Sequence, residues 1–237
     1  MAELMAPVLV GCAHGTRSTA GRRAVAELLV AVDGARPGLD VEPAFVDVQP
    51  PAVADVVRAV TGSGRTAVVV PLLLSVGHHV RVDVADAVRA VDGAVAGSAL
   101  GPDPRLTGLL LDRLLQAGAV DGDGVVLAAA GSSDLRAAAD VELMRSALAG
   151  TWTGPVVTGF GASASPSVPD AVASLRDAGS GRVAVAAYLL APGHFHDRLV
   201  EAEADVVTAP LLDSTVDDRL VAIVLDRYDS AAQRLTH

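Results

Sequence analysis

The sequence predicts an α/β protein built as two homologous lobes, each a mostly parallel sheet flanked by helices. Three observations carry that expectation. Apolar runs rich in β-branched residues alternate with longer segments whose apolar positions recur every three or four residues. Half of the 237 residues are hydrophobic (51%) but only 3% are aromatic, so the core must be built from Val, Leu and Ala. Finally, the second half of the chain restates the first.

The first strand is expected at 7–12, where "PVLVGC" is almost wholly apolar. In 19–33, "TAGRRAVAELLVAVD" has helical spacing, and Gly34 follows as a stop. "VEPAFV" (41–46) and "TAVVVPLLL" (66–74) read as strands around a helix at 51–61, and 82–91 reads as the helix leading to a short strand at 95–99. A helix at 103–117 closes this half. The same alternation then runs through strands at 124–130, 155–160, 182–190 and 205–209. The helices of the second half are expected at 134–149, 167–178, 196–203 and 215–232.

The repeat is specific. "FVDVQPPAVADVV" (45–57) aligns with "FGASASPSVPDAV" (160–172), matching Phe45 to Phe160, Pro51 to Pro166 and Asp55 to Asp170. "GHHVRV" (77–82) aligns with "GHFHDR" (193–198), and "VLVGCAHGTRS" (8–18) with "VVLAAAGSSDL" (125–135). Three anchors in one order at nearly constant offset divide the chain into lobes of 1–121 and 122–237.

Charge and composition exclude several functions. All 18 basic residues are arginine and the net charge is −10, which argues against a nucleic-acid partner. It leaves room for a small anionic ligand held by a few arginines or a helix N-terminus. The single cysteine, Cys12, excludes an internal disulfide or a CxxC site. The N-terminus reads as a buried strand rather than a signal peptide, and no apolar run reaches the roughly 18 residues needed to span a bilayer. A cytoplasmic, soluble chain is expected.

Ligands of open α/β sheets bind beyond the carboxyl ends of the strands. Every histidine except His237 falls there: His14 after the first strand, His78 and His79 after the third, His194 and His196 after the strand that repeats it. Each taken alone also reads as a cap or a surface residue. Read as extended chain, the pair His78–His79 points only one ring into a cleft. Histidine suits proton transfer near neutral pH and ligation of a borderline divalent metal. Gly15 lets the backbone turn under a ligand before Thr16, Arg17 and Ser18 open a helix. Asp47 faces the same rim, or serves as N-cap of the next helix.

Together "VGCAHGTRS", "FVDVQPP" and "VVVPLLLSVGHHVRVDV" resemble the sirohydrochlorin chelatases of the CbiX/SirB type, within the class II chelatases. The resemblance covers the first lobe well and the second more loosely, as a duplicated half. It implies two chelatase-like lobes facing across an interlobe cleft that holds a tetrapyrrole. The implied reaction inserts Fe²⁺ or Co²⁺ into sirohydrochlorin for sirohaem or cobalamin synthesis, without ATP or a prosthetic group. By position the resemblance makes His14 and His79 the metal-holding and catalytic histidines, with Asp47 as the acidic partner, one methylene shorter than the family's glutamate. Gly15, Arg17, Ser75 and Arg81 become the expected contacts to the substrate and its carboxylates, with Arg22 a further candidate. The arginines also read as solvated residues at helix starts. In the second lobe Ala130 stands at the position of His14 and Phe195 at that of His79, so one working site is expected. Imidazole ligands also suit Ni²⁺, so ligand type does not choose the metal.

Two alternatives compete: a non-catalytic tetrapyrrole or metal carrier of the same fold, and a small phospho-ligand enzyme using "HGTRS" at a helix N-terminus. The second lacks a glycine-rich phosphate loop and leaves "GHH" unexplained. With both lobes in one chain, a monomer is expected.

Overall fold

The computed structural model describes residues 6–75 and 77–235, the side chains of 78–80 excepted. The chain forms two compact units, one of residues 1–100 and 216–237 and the other of residues 101–215.

The first unit holds a parallel four-stranded sheet in the order β2-β1-β3-β4, from β1 (Val8–Ala13), β2 (Val41–Phe45), β3 (Ala67–Pro71) and β4 (Ala94–Ala96). β1 and β3 are buried along their whole length, as strands covered by helices on both faces must be. One face packs on α2 (Val53–Gly62) and α3 (His78–Arg89), where Val53, Val57, Val84 and Ala87 meet Val8, Val10, Cys12 and Val69. The other side carries α1 (Thr19–Ala35) and α8 (Asp218–Ala232), which pack together, α8 also lying on β3.

The second unit repeats the pattern, with the order β6-β5-β7-β8 from β5 (Gly124–Ala129), β6 (Val156–Phe160), β7 (Val183–Tyr188) and β8 (Val206–Val207). α6 (Val168–Asp177), the one-turn α7 (His194–Leu199) and the 3-10 turn Val200–Ala202 bury Val168, Ala171, Leu175, Leu199 and Ala202 against one face of the sheet. α4 (Pro104–Gln116) packs on α5 (Leu135–Ala149) and β7.

The units therefore do not follow the repeat boundary at 121/122. α4 comes last in the first repeat but packs in the second unit, while α8 comes last in the second repeat and packs in the first. The amphipathic stripe of α4 buries Leu106, Leu109, Leu110 and Leu114, but a stripe records that a face is buried and not which sheet buries it. Arg227 fixes α8 in place, donating to the carbonyls of Ala99 and Leu100, and Tyr228 donates to that of Pro7.

Helix starts follow their caps. Ser18, Asp103, Asp134, Ser167 and Asp217 each accept a backbone N–H of the helix they open. One expectation is corrected here. "GHH" is not an extended loop before a helix at 82: α3 begins at His78, and α7 likewise begins at His194 rather than at 196. Their N-caps, Gly77 and Gly193, contribute no side-chain oxygen, so the usual sequence signal of a helix start is missing. Among the described residues no helix is long and apolar enough to cross a membrane.

Candidate active site

In the first unit the strand order reverses between β1 and β3, and ligands of such sheets sit beyond the carboxyl ends at that point. His14 is the residue after β1, and the segment after β3 leads into the first turn of α3, where His78 and His79 lie. The backbone of His79 is placed at the second position of α3; its side chain lies outside the described residues.

The loop after β1 is locked to the loop after β2. The N–H of Val46 donates to the carbonyl of Ala13 (3.0 Å) and that of Asp47 to the carbonyl of His14 (2.9 Å). Gly15 has φ +96°, and a Cβ built on it would lie 2.0 Å from the carbonyl oxygen of Asp47. The two loops meet this closely because residue 15 has no side chain. Gln49 completes the brace, its Oε1 accepting the N–H of Thr16 at 3.1 Å. The hydroxyl of Thr16 accepts the N–H of Ser18, and Ser18 caps α1. Arg22 donates through Nε to the carbonyl of Thr16 at 2.7 Å, which makes it part of this loop.

His14, Arg17 and Asp47 are exposed at the rim, and Gly15, Ser75 and Arg81 are half-buried. Asp47 is not a helix cap: α2 begins at Val53 with Ala52 before it, and one carboxylate oxygen of Asp47 instead accepts the N–H of Val48 at 2.7 Å. Its other oxygen has no partner among the described residues, so the shortened side chain still offers one acceptor at the rim. Arg81 sits in the first turn of α3, its N–H closing on the carbonyl of Gly77. His14 and Asp47 are thus brought together through their backbones. Gln49 was not singled out from the sequence, and its place in "FVDVQPP", two residues past Asp47, was the available signal.

Cys12 lies behind the rim, fully buried. Burial, aided by the charge of Asp83, pushes its thiol up to about 12, so it sits in the core as the neutral thiol. Among the described residues no group of three or more His, Cys, Asp and Glu side chains is arranged to hold a metal ion.

The second unit keeps the backbone of this rim. Gly161 and Ala162 donate to the carbonyls of Ala129 and Ala130, as Val46 and Asp47 do to those of Ala13 and His14. A Cβ on Gly131 (φ +91°) would lie 1.8 Å from the carbonyl oxygen of Ala162. Ser132 accepts the N–H of Asp134 as Thr16 accepts that of Ser18. By these bonds Ala130 corresponds to His14 and Ala162 to Asp47, and two residues further along each loop Ala164 corresponds to Gln49. The helix starts make Phe195 the counterpart of His79. His194 is exposed, and His196 is hydrogen-bonded through Nε2 to the carbonyl of Thr208 at 2.9 Å.

The family model described as CbiX matches residues 8–117 and again 124–231. No curated protein sequence matches the chain. Among solved structures it is similar to "SirB from Bacillus subtilis with Fe3+", at 21% identity and a TM-score of 0.76, covering 95% of each chain. It is also similar to the sirohydrochlorin chelatase SirB from Bacillus subtilis subspecies spizizenii in complex with cobalt, at 19% identity and a TM-score of 0.76, covering 97% of each chain. A third, CbiX, described as the terminal enzyme for biosynthesis of siroheme in denitrifying bacteria, is 18% identical with a TM-score of 0.65 over 94% of this chain and 98% of that one.

Proposed function

The chain belongs to the CbiX family, and we propose that it is a sirohydrochlorin chelatase, inserting Fe²⁺ or Co²⁺ into the tetrapyrrole as the metal-loading step toward sirohaem or cobalamin. The observation that carries this reading is the pairing at the switch point of the first sheet. His14 follows β1, His79 is the second residue of the helix after β3, and Asp47 is hydrogen-bonded to the backbone of His14. The relatives described with Fe³⁺ and with cobalt support a metal ion, iron or cobalt, as the co-substrate.

In this reading His14 and His79 take up the incoming ion through neutral imidazole nitrogens. The reaction balances without ATP or redox change: the macrocycle gives up two pyrrole N–H protons and its four nitrogens take the ion. The histidines, released from the metal as it enters the ring, accept those protons. Asp47 orients an imidazole with its unbonded oxygen. Arg17 and Arg81 contact the substrate's carboxylates, with Gly15 and Ser75 lining the same rim. No prosthetic group takes part, and the protein acts as a cytoplasmic monomer.

The test is to incubate the protein anaerobically with sirohydrochlorin and Co²⁺ or Fe²⁺ and follow the visible spectrum. His14→Ala and His79→Ala are each expected to lower the insertion rate by about 10²–10⁴-fold. Wild-type rates in both variants would refute the mechanism. Tight binding of the tetrapyrrole with no acceleration by the wild-type protein would make it a carrier.

A further inference from the structure

Between Asp47 and Gln49 the chain makes a turn that the residue inside it resists. Val48 has φ +68°, in the left-handed region that a β-branched side chain occupies only at a cost. The N–H of Gln49 donates to the carbonyl of Asp47 at 2.8 Å, which closes the strained form of γ-turn over Val48. The turn is held at both ends. Asp47 Oδ1 accepts the N–H of Val48, Gln49 Oε1 accepts that of Thr16, and the carbonyl of Asp47 lies against Gly15.

The second unit separates the turn from the residue in it. The matching position there, between Ala162 and Ala164, is Ser163, with φ +55°. The backbone keeps positive φ even where aspartate and glutamine are absent, so this shape belongs to the fold. Serine is unbranched at Cβ and fits it with less strain; valine is the costly choice. Val46, two residues earlier, packs against the core of the first unit, whereas Val48 is 43% exposed. A lone exposed apolar side chain is ordinary. One exposed on a strained backbone, between two residues of the candidate site, is not.

We propose that Val48 is a substrate-contacting residue, an apolar support on the first unit's rim for the conjugated ring of the tetrapyrrole. This rests on the function proposed above. A macrocycle that brings its nitrogens to an ion held at His14 spreads over the rim around it. Asp47, hydrogen-bonded to the backbone of His14, puts the adjoining Val48 on that rim. The polar side chains there serve the metal, the protons and the carboxylates, and Val48 offers the ring a surface whose removal from water favours binding. Val48 thus lowers the stability of the loop and raises tetrapyrrole affinity.

The experiment uses the full chain, metal-free sirohydrochlorin and thermal melts, with insertion kinetics run alongside with Co²⁺. Val48→Gly removes the strain and the side chain together, so two readouts should move in opposite directions. Its Tm is expected to rise by about 2–4 °C. Its affinity for sirohydrochlorin, followed by the pigment's own absorbance and fluorescence, is expected to fall about five- to tenfold. In the insertion assay the loss appears in KM for the tetrapyrrole rather than in kcat or in KM for Co²⁺. Val48→Ser, which carries the residue of the second unit, should lose affinity as the glycine variant does. Val48→Ile, which keeps an apolar branched side chain, should bind within about twofold of wild type. Unchanged tetrapyrrole affinity in Val48→Gly overturns the proposal, as does a loss confined to kcat or to Co²⁺, which would make Val48 a support for Asp47 alone. A Tm below that of wild type would overturn the strain argument on which the proposal stands. Failure of the wild-type protein to bind sirohydrochlorin would overturn the chelatase reading itself, and this assignment with it.

Discussion

Two rims drawn on one backbone differ in nearly every side chain that could do chemistry. At the carboxyl end of the first sheet, the loops after β1 and β2 are joined by paired backbone hydrogen bonds under a glycine with positive φ. At the end of the second sheet the same bonds recur at Ala129, Ala130, Gly161 and Ala162, under Gly131. What is retained is the part that folds the loops; what is replaced is histidine by alanine and phenylalanine, aspartate by alanine, glutamine by alanine. Backbone geometry and site chemistry are therefore separable here, and each difference between the units is a place where the separation can be tested.

The largest expected effect comes from the element that crosses between repeats. α8 buries Leu220, Val221, Ile223, Val224 and Tyr228 in the first unit. At about 1.5–3 kcal/mol for each large apolar side chain removed from water, those five residues contribute roughly 8–15 kcal/mol, comparable with the whole stability of a domain. Arg36 adds a bidentate pair with Asp229 at the surface, whose own contribution is small. Deleting residues 216–237 should therefore unfold the first unit, although the deleted helix belongs to the second repeat. Limited proteolysis should leave a protected fragment close to 101–215. Equal protection of residues 8–96 in the truncated chain would show that the helix partition is wrong.

That partition was the part of the fold least legible in the sequence. Strand and helix order followed from periodicity, because β5 and β7 are apolar along their length and helices such as α1 carry a stripe and a cap. The partner of a stripe is a tertiary choice, and neither α4 nor α8 encodes it locally. In the candidate site, their positions at the carboxyl ends of strands put His14 and Asp47 on one rim, and the repeat matched Phe195 to His79. The helical start at His78 was hidden by its glycine cap, and the Gln49 brace by the ordinariness of a lone glutamine in a loop. The contact of Phe195 with Gly161 joins residues 34 positions apart, beyond the reach of any local pattern.

A smaller effect, but a sharper comparison, comes from placing the same lesion in both units. Gly15→Ala and Gly131→Ala each put a methyl group within 2.0 Å and 1.8 Å, respectively, of a carbonyl oxygen, on a backbone with positive φ. Each should lose at least about 1–3 kcal/mol of stability, seen as a fall of roughly 5–10 °C in Tm. Activity should divide them. Gly15→Ala separates the loops that hold His14 and Asp47 and should lower kcat/KM by about 100-fold, as displacement of a catalytic group by an ångström can. Gly131→Ala, assayed well below its Tm, should stay within about threefold of wild type. Equal activity losses would mean that the second rim carries chemistry its side chains do not suggest.

The smallest expected effect concerns the cores beneath the rims. Cys12 on β1 and Ala128 on β5 occupy corresponding positions, both fully buried. Burial raises the Cys12 thiol to about 12 from an ordinary 9.0. Below pH 9 the thiol is protonated in both folded and unfolded chains, and the stability tied to its protonation is fully present. As pH rises from 9 toward 12 the unfolded chain ionises first and the folded state loses ground, with a limiting slope of about 1.4 kcal/mol per pH unit. The wild-type protein should thus be about 1 kcal/mol less stable to urea at pH 10 than at pH 8 on this account. Cys12→Ala, which gives the first unit the residue of the second, should remove that part of the decline while lowering stability at pH 8 through the lost packing. The thiol should also resist alkylation at pH 8.5 until the first unit unfolds, because the reactive thiolate is absent from the folded core. Rapid labelling in the native state would show that β1 opens beneath His14, and the rigid backbone shared by the two rims would then hold for the second unit alone.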